Sequence, residues 1–150
     1  MSKDIFFMEK AIIKAKEAAS IGEVPVGAVL VRDDKIIASS HNSNIADINP
    51  ISHAEMNTLI SGSIALKNHR LIGTSLYVTL EPCAMCLGAI IHSRISRVVF
   101  GAFDKKTGAC GSCFNLLENN CFNHRPELLG GVLEEKCAAI LKNFFLKKRF

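Results

Sequence analysis

Apolar residues recur at helical spacing over residues 4–20, where Ile5, Met8, Ile12, Ala15 and Ala19 share one stripe and Gly22 follows as a stop. The pattern then changes character. Residues 24–31 form a nearly unbroken apolar run, Asp33-Asp34 interrupts it, and residues 35–40 return, which predicts a β-hairpin. Gly27 lies inside the first strand, either as an ordinary strand glycine or as a point of close ligand approach. A polar stretch over residues 41–50 ends in Pro50 and reads as a loop. A helix follows over residues 53–65, with Ser52 placed to cap it and Glu55 to complete a capping box. His69 and Arg70 fall in the connection to a strand over residues 75–80. Pro82 then opens a third helix, since proline favours the first helical position. A strand over residues 95–102, a polar loop over 103–108, a short helix over 116–119, a fifth strand over 128–133 and a last helix over 134–148 complete the chain. Strands alternating with helices predict a sheet covered on both faces, an α/β sandwich.

Length and composition bound this picture without redirecting it. At 150 residues, 49% hydrophobic and 21% charged, the chain reads as a single domain over 1–150 with a proper core. No signal-peptide core and no bilayer-length apolar run occurs, so the expected compartment is the cytoplasm. Without an oxidising compartment, Cys110, Cys113, Cys121 and Cys137 are expected as free thiols. Cys110 and Cys113 make a Cys-x-x-Cys near Cys121 and His124, but the spacing fits no common zinc finger. Net charge is +4, a mild bias whose distribution says more. From Lys136 onward, Lys142, Lys147, Lys148 and Arg149 occur with no acidic residue, interleaved with Phe144, Phe145 and Phe150. Cations attract phosphates and aromatic faces stack on unpaired bases. The same pattern also describes a terminal helix with core phenylalanines and a solvated basic face.

The candidate chemistry lies in His53-Ala54-Glu55 and Pro82-Cys83-Ala84-Met85-Cys86. His53, Cys83 and Cys86 offer one nitrogen and two sulfurs, leaving a fourth tetrahedral position for water, the pattern of a catalytic zinc. Cysteines at i and i+3 of a helix start share a face, and the electropositive helix end favours their thiolates. Glu55, two residues past the histidine, can face the water without being a ligand. Either half alone is ambiguous; the combination H-x-E…P-C-x-x-C is the signature of zinc nucleobase deaminases.

With these residues in place, the chain resembles the bacterial tRNA-specific adenosine deaminases of the cytidine-deaminase superfamily. The likeness runs through residues 23–29, Asn42, residues 53–55 and the string from Leu80 to Gly108, and extends to Asn123-His124-Arg125 and Phe144-Phe145. It implies a three-layer α/β/α sandwich around a mixed five-stranded sheet. It also implies one Zn²⁺ per subunit held by His53, Cys83 and Cys86, with Glu55 as proton shuttle. The implied reaction is hydrolytic deamination of adenosine to inosine at the wobble position of a tRNA anticodon, by a homodimer, away from membranes. Asn42, Val26 and Ala54 match positions near the target base; Asp104 and Lys106 fall in a substrate loop. Phe145, Lys148 and Arg149 lie where the family grips the anticodon loop. His41 stands where some relatives carry tryptophan, and Cys110 and Cys113 are outside the family pattern. Two other readings use the same residues: a zinc deaminase of free guanine or cytidine, and a non-catalytic zinc RNA-binding subunit.

Overall fold

The computed structural model describes residues 2–148. Its elements are α1 (Lys3–Ser20), β1 (Gly27–Arg32), β2 (Lys35–His41), α2 (Ala54–Leu66), β3 (Ser75–Leu80), α3 (Ala84–His92), β4 (Arg97–Ala102), a 3₁₀ turn (Leu116–Glu118), β5 (Glu127–Leu129) and α4 (Glu134–Lys148). The sheet runs β2-β1-β3-β4-β5. β1 is antiparallel to β2 and β3, while β3, β4 and β5 are parallel. The sheet is therefore mixed, and β2 points the same way as β3. Helices α1 and α4 cover one face, α2 and α3 the other, giving the expected three layers.

Strand alternation decides which side chain enters which layer. Leu30, Leu76, Val78 and Val98 face α2 and α3, where Leu87 and Ile90 meet them. Val29, Tyr77 and Val99 face α1 and α4, against Phe7, Met8, Ala11 and Cys137. The hairpin turn is made by Asp33 and Asp34, both at positive φ (52° and 61°), the pairing a two-residue type I′ turn requires.

Five local expectations are corrected. The buried stripe of α1 is Phe7, Met8, Ala11, Ile12, Ala15 and Ala18, so Ile5 and Ala19 sit at its edges and not at its centre. The cause lies at Gly27, where a Cβ would collide with the Ala11 carbonyl and the Ala15 amide; helix backbone, not ligand, takes that space. The first strand begins at Gly27 because Pro25 has no N–H for a ladder and the Val26 N–H turns back to Val24 O at 2.8 Å. Pro82 precedes the helix rather than opening it, since Cys83 is the N-cap of α3. The Ser52–Glu55 capping box does not form: His53 is the N-cap of α2, and Asn42 Oδ1 instead accepts from Ala54 N at 2.7 Å. The fifth strand is only three residues, Glu127–Leu129, cut short before Gly130 and Gly131.

The far end of the sheet is fastened by charge. Arg97 donates from both terminal nitrogens to the two oxygens of Asp4 at 2.7 Å, and Tyr77 OH donates to Asp4 Oδ1 at 2.8 Å. Arg97 holds the Asp4 carboxyl below the usual carboxylate range. Asp4→Asn is expected to cost about 1–2 kcal/mol at neutral pH, a charged hydrogen-bonded pair discounted for partial exposure. A depressed folded pKa contributes stability above the unfolded value, about 3.9, and loses it as pH falls toward the folded value. The deficit measured by urea unfolding should therefore be present at pH 7 and shrink on acidification. Equal stabilities at pH 7 would remove this pair from the fold's supports.

Candidate active site and metal centre

Because β2 and β3 run the same way, the helices that follow them start at the same end of the sheet. Cys83 is the N-cap of α3, Cys86 lies in its first turn, and His53 is the N-cap of α2. Neither N-cap side chain bonds its own helix. Asn42 takes over that duty for α2, which leaves the imidazole of His53 free. His53 Nδ1 lies 3.8 Å from Cys83 Sγ and 3.3 Å from Cys86 Sγ. All three donor atoms lie within 4.8 Å of one another. Tetrahedral zinc with bonds of about 2.0–2.3 Å needs donors roughly 3.5–3.8 Å apart, so one nitrogen and two sulfurs here fit that ion.

Electrostatics favour the same assignment. The Cys86 thiol, and then His53, draw Cys83 down to about 4, while the contact with Cys83, and then burial, push Cys86 up. Both cysteines sit at a helix start, where partial positive charge stabilises thiolate. Glu55 is buried in the first turn of α2, and burial pushes its carboxyl up to about 7. An acid so placed can take and return a proton near neutrality.

These groups open on a cavity of about 230 Å³. Val26, Asn42, His53, Glu55, Cys83 and Asp104 all line it. Asn42 has its oxygen committed to Ala54 N, so its amide nitrogen remains as a donor. A groove of about 510 Å³ adjoins, sharing Val24, Leu80, Asp104 and Thr107 with the cavity and bringing in Lys106, Phe103 and Phe145. Phe144 is buried and Phe145 is 46% exposed, so the tail's aromatics divide between core and groove.

Two expected contacts lie elsewhere, and a third falls on a residue outside the described ones. Ala54 packs in the core with its N–H already bonded, and does not line the cavity. Lys148 sits with Nζ 4.9 Å over the ring of Phe144 and does not line the groove. Arg149, with Phe150, lies outside the described residues. Sequence reasoning missed Glu81, Leu80, Val24, Asn44 and Thr107, all of which line the cavity. For Glu81 a signal exists, an acidic residue placed directly after the strand β3 and just before Pro82-Cys83. None of the six cysteines is in a disulfide, and Cys110, Cys113, Cys121 and His124 form no metal-binding group among the described residues. No described helix is long and apolar enough to cross a membrane.

Comparison with known proteins agrees with this geometry. Residues 1–102 match the family described as the cytidine and deoxycytidylate deaminase zinc-binding region. The chain is 49% identical to the tRNA-specific adenosine deaminase of Bacillus subtilis (strain 168), over 99% of this chain and 92% of that one. It is also 49% identical to the tRNA-specific adenosine deaminase of Haemophilus influenzae, over 95% of this chain and 83% of that one. A solved structure from work on A-to-I editing by tRNA:A34 deaminases at the wobble position superposes with a TM-score of 0.88 at 41% identity, covering 91% of this chain and 99% of that one. A guanine deaminase from Nitrosomonas europaea shares the fold at 21% identity, with a TM-score of 0.81 over 93% of this chain and 83% of that one. With the His-Cys-Cys donors converging beside a buried glutamate and these relatives spanning nearly its whole length, the chain belongs to the zinc-binding cytidine and deoxycytidylate deaminase family, among its tRNA-specific adenosine deaminases.

Proposed function

We propose that this protein hydrolyses the 6-amino group of adenosine at the wobble position of a tRNA anticodon, giving inosine and ammonia. The observation that carries this reading is a buried carboxyl, Glu55, in one small cavity with His53 and Cys83. When bound by His53, Cys83 and Cys86, zinc supplies the Lewis acidity that lets water ionise near neutral pH. Glu55 then does the proton work. Its carboxylate takes the proton of the attacking water and passes it to N1 of the ring as C6 is attacked; it then takes the proton of the new C6 hydroxyl and gives it to the departing amine, so the C6–N bond breaks to a carbonyl and ammonia. Asn42 offers its amide N–H₂ to the base. Such a pocket cannot reach a stacked base, and an anticodon loop presents its bases already splayed. Lys106 and Phe145 in the adjoining groove suit the nucleotides flanking the target, by charge and by stacking.

We infer a homodimer, supported by Ile60 and Ile64, one turn apart on the outward side of α2 and 57% and 72% exposed. Sedimentation at twice 16.4 kDa is the expected result, and a monomer at micromolar concentration overturns it. We infer a cytoplasmic location from the same reading, since a tRNA anticodon is the proposed substrate.

The test incubates zinc-loaded protein with an anticodon hairpin bearing adenosine at the wobble position, with guanine and cytidine in parallel. A-to-G conversion on sequencing, with ammonia from the hairpin alone, is expected. Ammonia from guanine or cytidine and none from the hairpin favours the free-base enzyme. Hairpin binding without ammonia from any substrate leaves the non-catalytic subunit.

A further inference from the structure

Of the acids lining the cavity, the buried Glu81 has no part in the proton chemistry. Glu81 is 2% exposed, follows Leu80, the last residue of β3, and stands two residues before Cys83. Among the described residues no lysine or arginine pairs with it. Its four hydrogen bonds come instead from a single loop, residues 103–113. Oε1 accepts from Asp104 N at 3.1 Å and from the Ser112 hydroxyl, and Oε2 accepts from Cys110 N at 3.0 Å and Ser112 N at 3.2 Å. Such donors offset the cost of burying a carboxylate.

The loop is seated closely enough to need its glycine. A Cβ on Gly108 would run into the Glu81 carboxylate and the Asp104 carbonyl. Backbone bonds tie the same two segments, Glu81 N to Ala102 O and Ala109 N to Pro82 O, both 2.9 Å. Within the loop, Asp104 accepts from the Lys106 and Thr107 amides and from the Thr107 hydroxyl, which folds 104–107 into a tight turn. Asp104 and Thr107 line the cavity together with Glu55, His53 and Cys83.

We propose that Glu81 is a positioning residue for the substrate: it locks the 103–113 loop to the strand end that carries Cys83, so the Asp104–Thr107 wall stands at a fixed distance from the metal donors and Glu55. This rests on the deaminase reading above. A buried acid that only stabilised the fold would make the same contacts, so the test must separate position from stability.

Glu81→Gln keeps the shape and sets an amide nitrogen against N–H donors on whichever side it turns. With the anticodon hairpin, KM is expected to rise about tenfold or more while kcat stays within about threefold, because the wall shifts and the proton relay does not. Zinc content should remain at the wild-type level. Asp4→Asn, far from the cavity, is measured alongside and should lower Tm with KM unchanged. A Glu81→Gln variant that lowers Tm but keeps the wild-type KM, at a temperature where it is folded, overturns the proposal. If that variant does not fold, Ser112→Ala removes one donor side chain; KM is then expected to rise about two- to fivefold, and an unchanged KM overturns the proposal. Wild-type protein inactive on the hairpin would instead sink the deaminase reading, and the positioning role with it.

Discussion

Glu55→Gln is expected to lose about 10²–10⁴-fold in turnover, the usual worth of a positioned general acid–base, while binding zinc as well as the wild type. Glutamine has the same length and fills the same buried space at the start of α2. It is not one of the three metal donors, whose atoms close on one another without it. What it lacks is a group that can accept a proton from water and give one to the ring. The substitution also ends the cost of burying a carboxyl, since burial is what pushes Glu55 up to about 7. An acid with a raised folded pKa weakens the fold as pH rises above its unfolded value, so the variant's Tm at pH 8 should be no lower than wild type. Loss of rate therefore cannot be ascribed to unfolding. Elemental analysis and hairpin turnover decide the matter together. A variant with full zinc and near-normal turnover would remove Glu55 from the chemistry.

What the sequence disclosed and what it hid divide by the range of the interaction. β3 and α4 occur at the expected residues because each is bounded by local signals: glycine or proline at one end, and a change of period at the other. The donors of α3 were legible because i and i+3 at a helix start is a local geometry. His53 joined them only through the recognised combination, since its approach to Cys83 spans 30 residues. Nothing local announces that Asn42, twelve residues before Ala54, displaces Ser52 as the cap of α2. Glu81 reads locally as a strand end; its donors lie 23 to 31 residues ahead. The offset in α1 has the same origin. Period alone ranks Ile5 above Ala11 and Ala18, but the close approach at Gly27 selects alanine where backbone meets backbone. Tail residues divided because an amphipathic pattern gives faces and not partners: Phe144 went to the core, Phe145 to the groove.

Cys83→Ser should abolish zinc binding, and turnover with it, without melting the helix that carries the residue. A serine hydroxyl does not ionise near neutrality, so the thiolate held by Cys86 and His53 is lost and two donors remain. Cys83 is, however, the N-cap of α3, and its side chain makes no capping hydrogen bond. Serine is among the best N-cap residues, worth roughly 0.5–2 kcal/mol over a non-capping side chain. The two effects oppose each other and can be separated. In excess chelator, with zinc stripped from both proteins, the variant should match or exceed the wild type in Tm. With zinc present only the wild type gains, because an ion that binds the folded state alone stabilises it by mass action. Elemental analysis of the purified variant should find zinc far below one per subunit. A full complement would contradict the ligand assignment, whereas a Tm well below wild type in chelator would mean that α3 depends on the cysteine itself and not on the metal it holds.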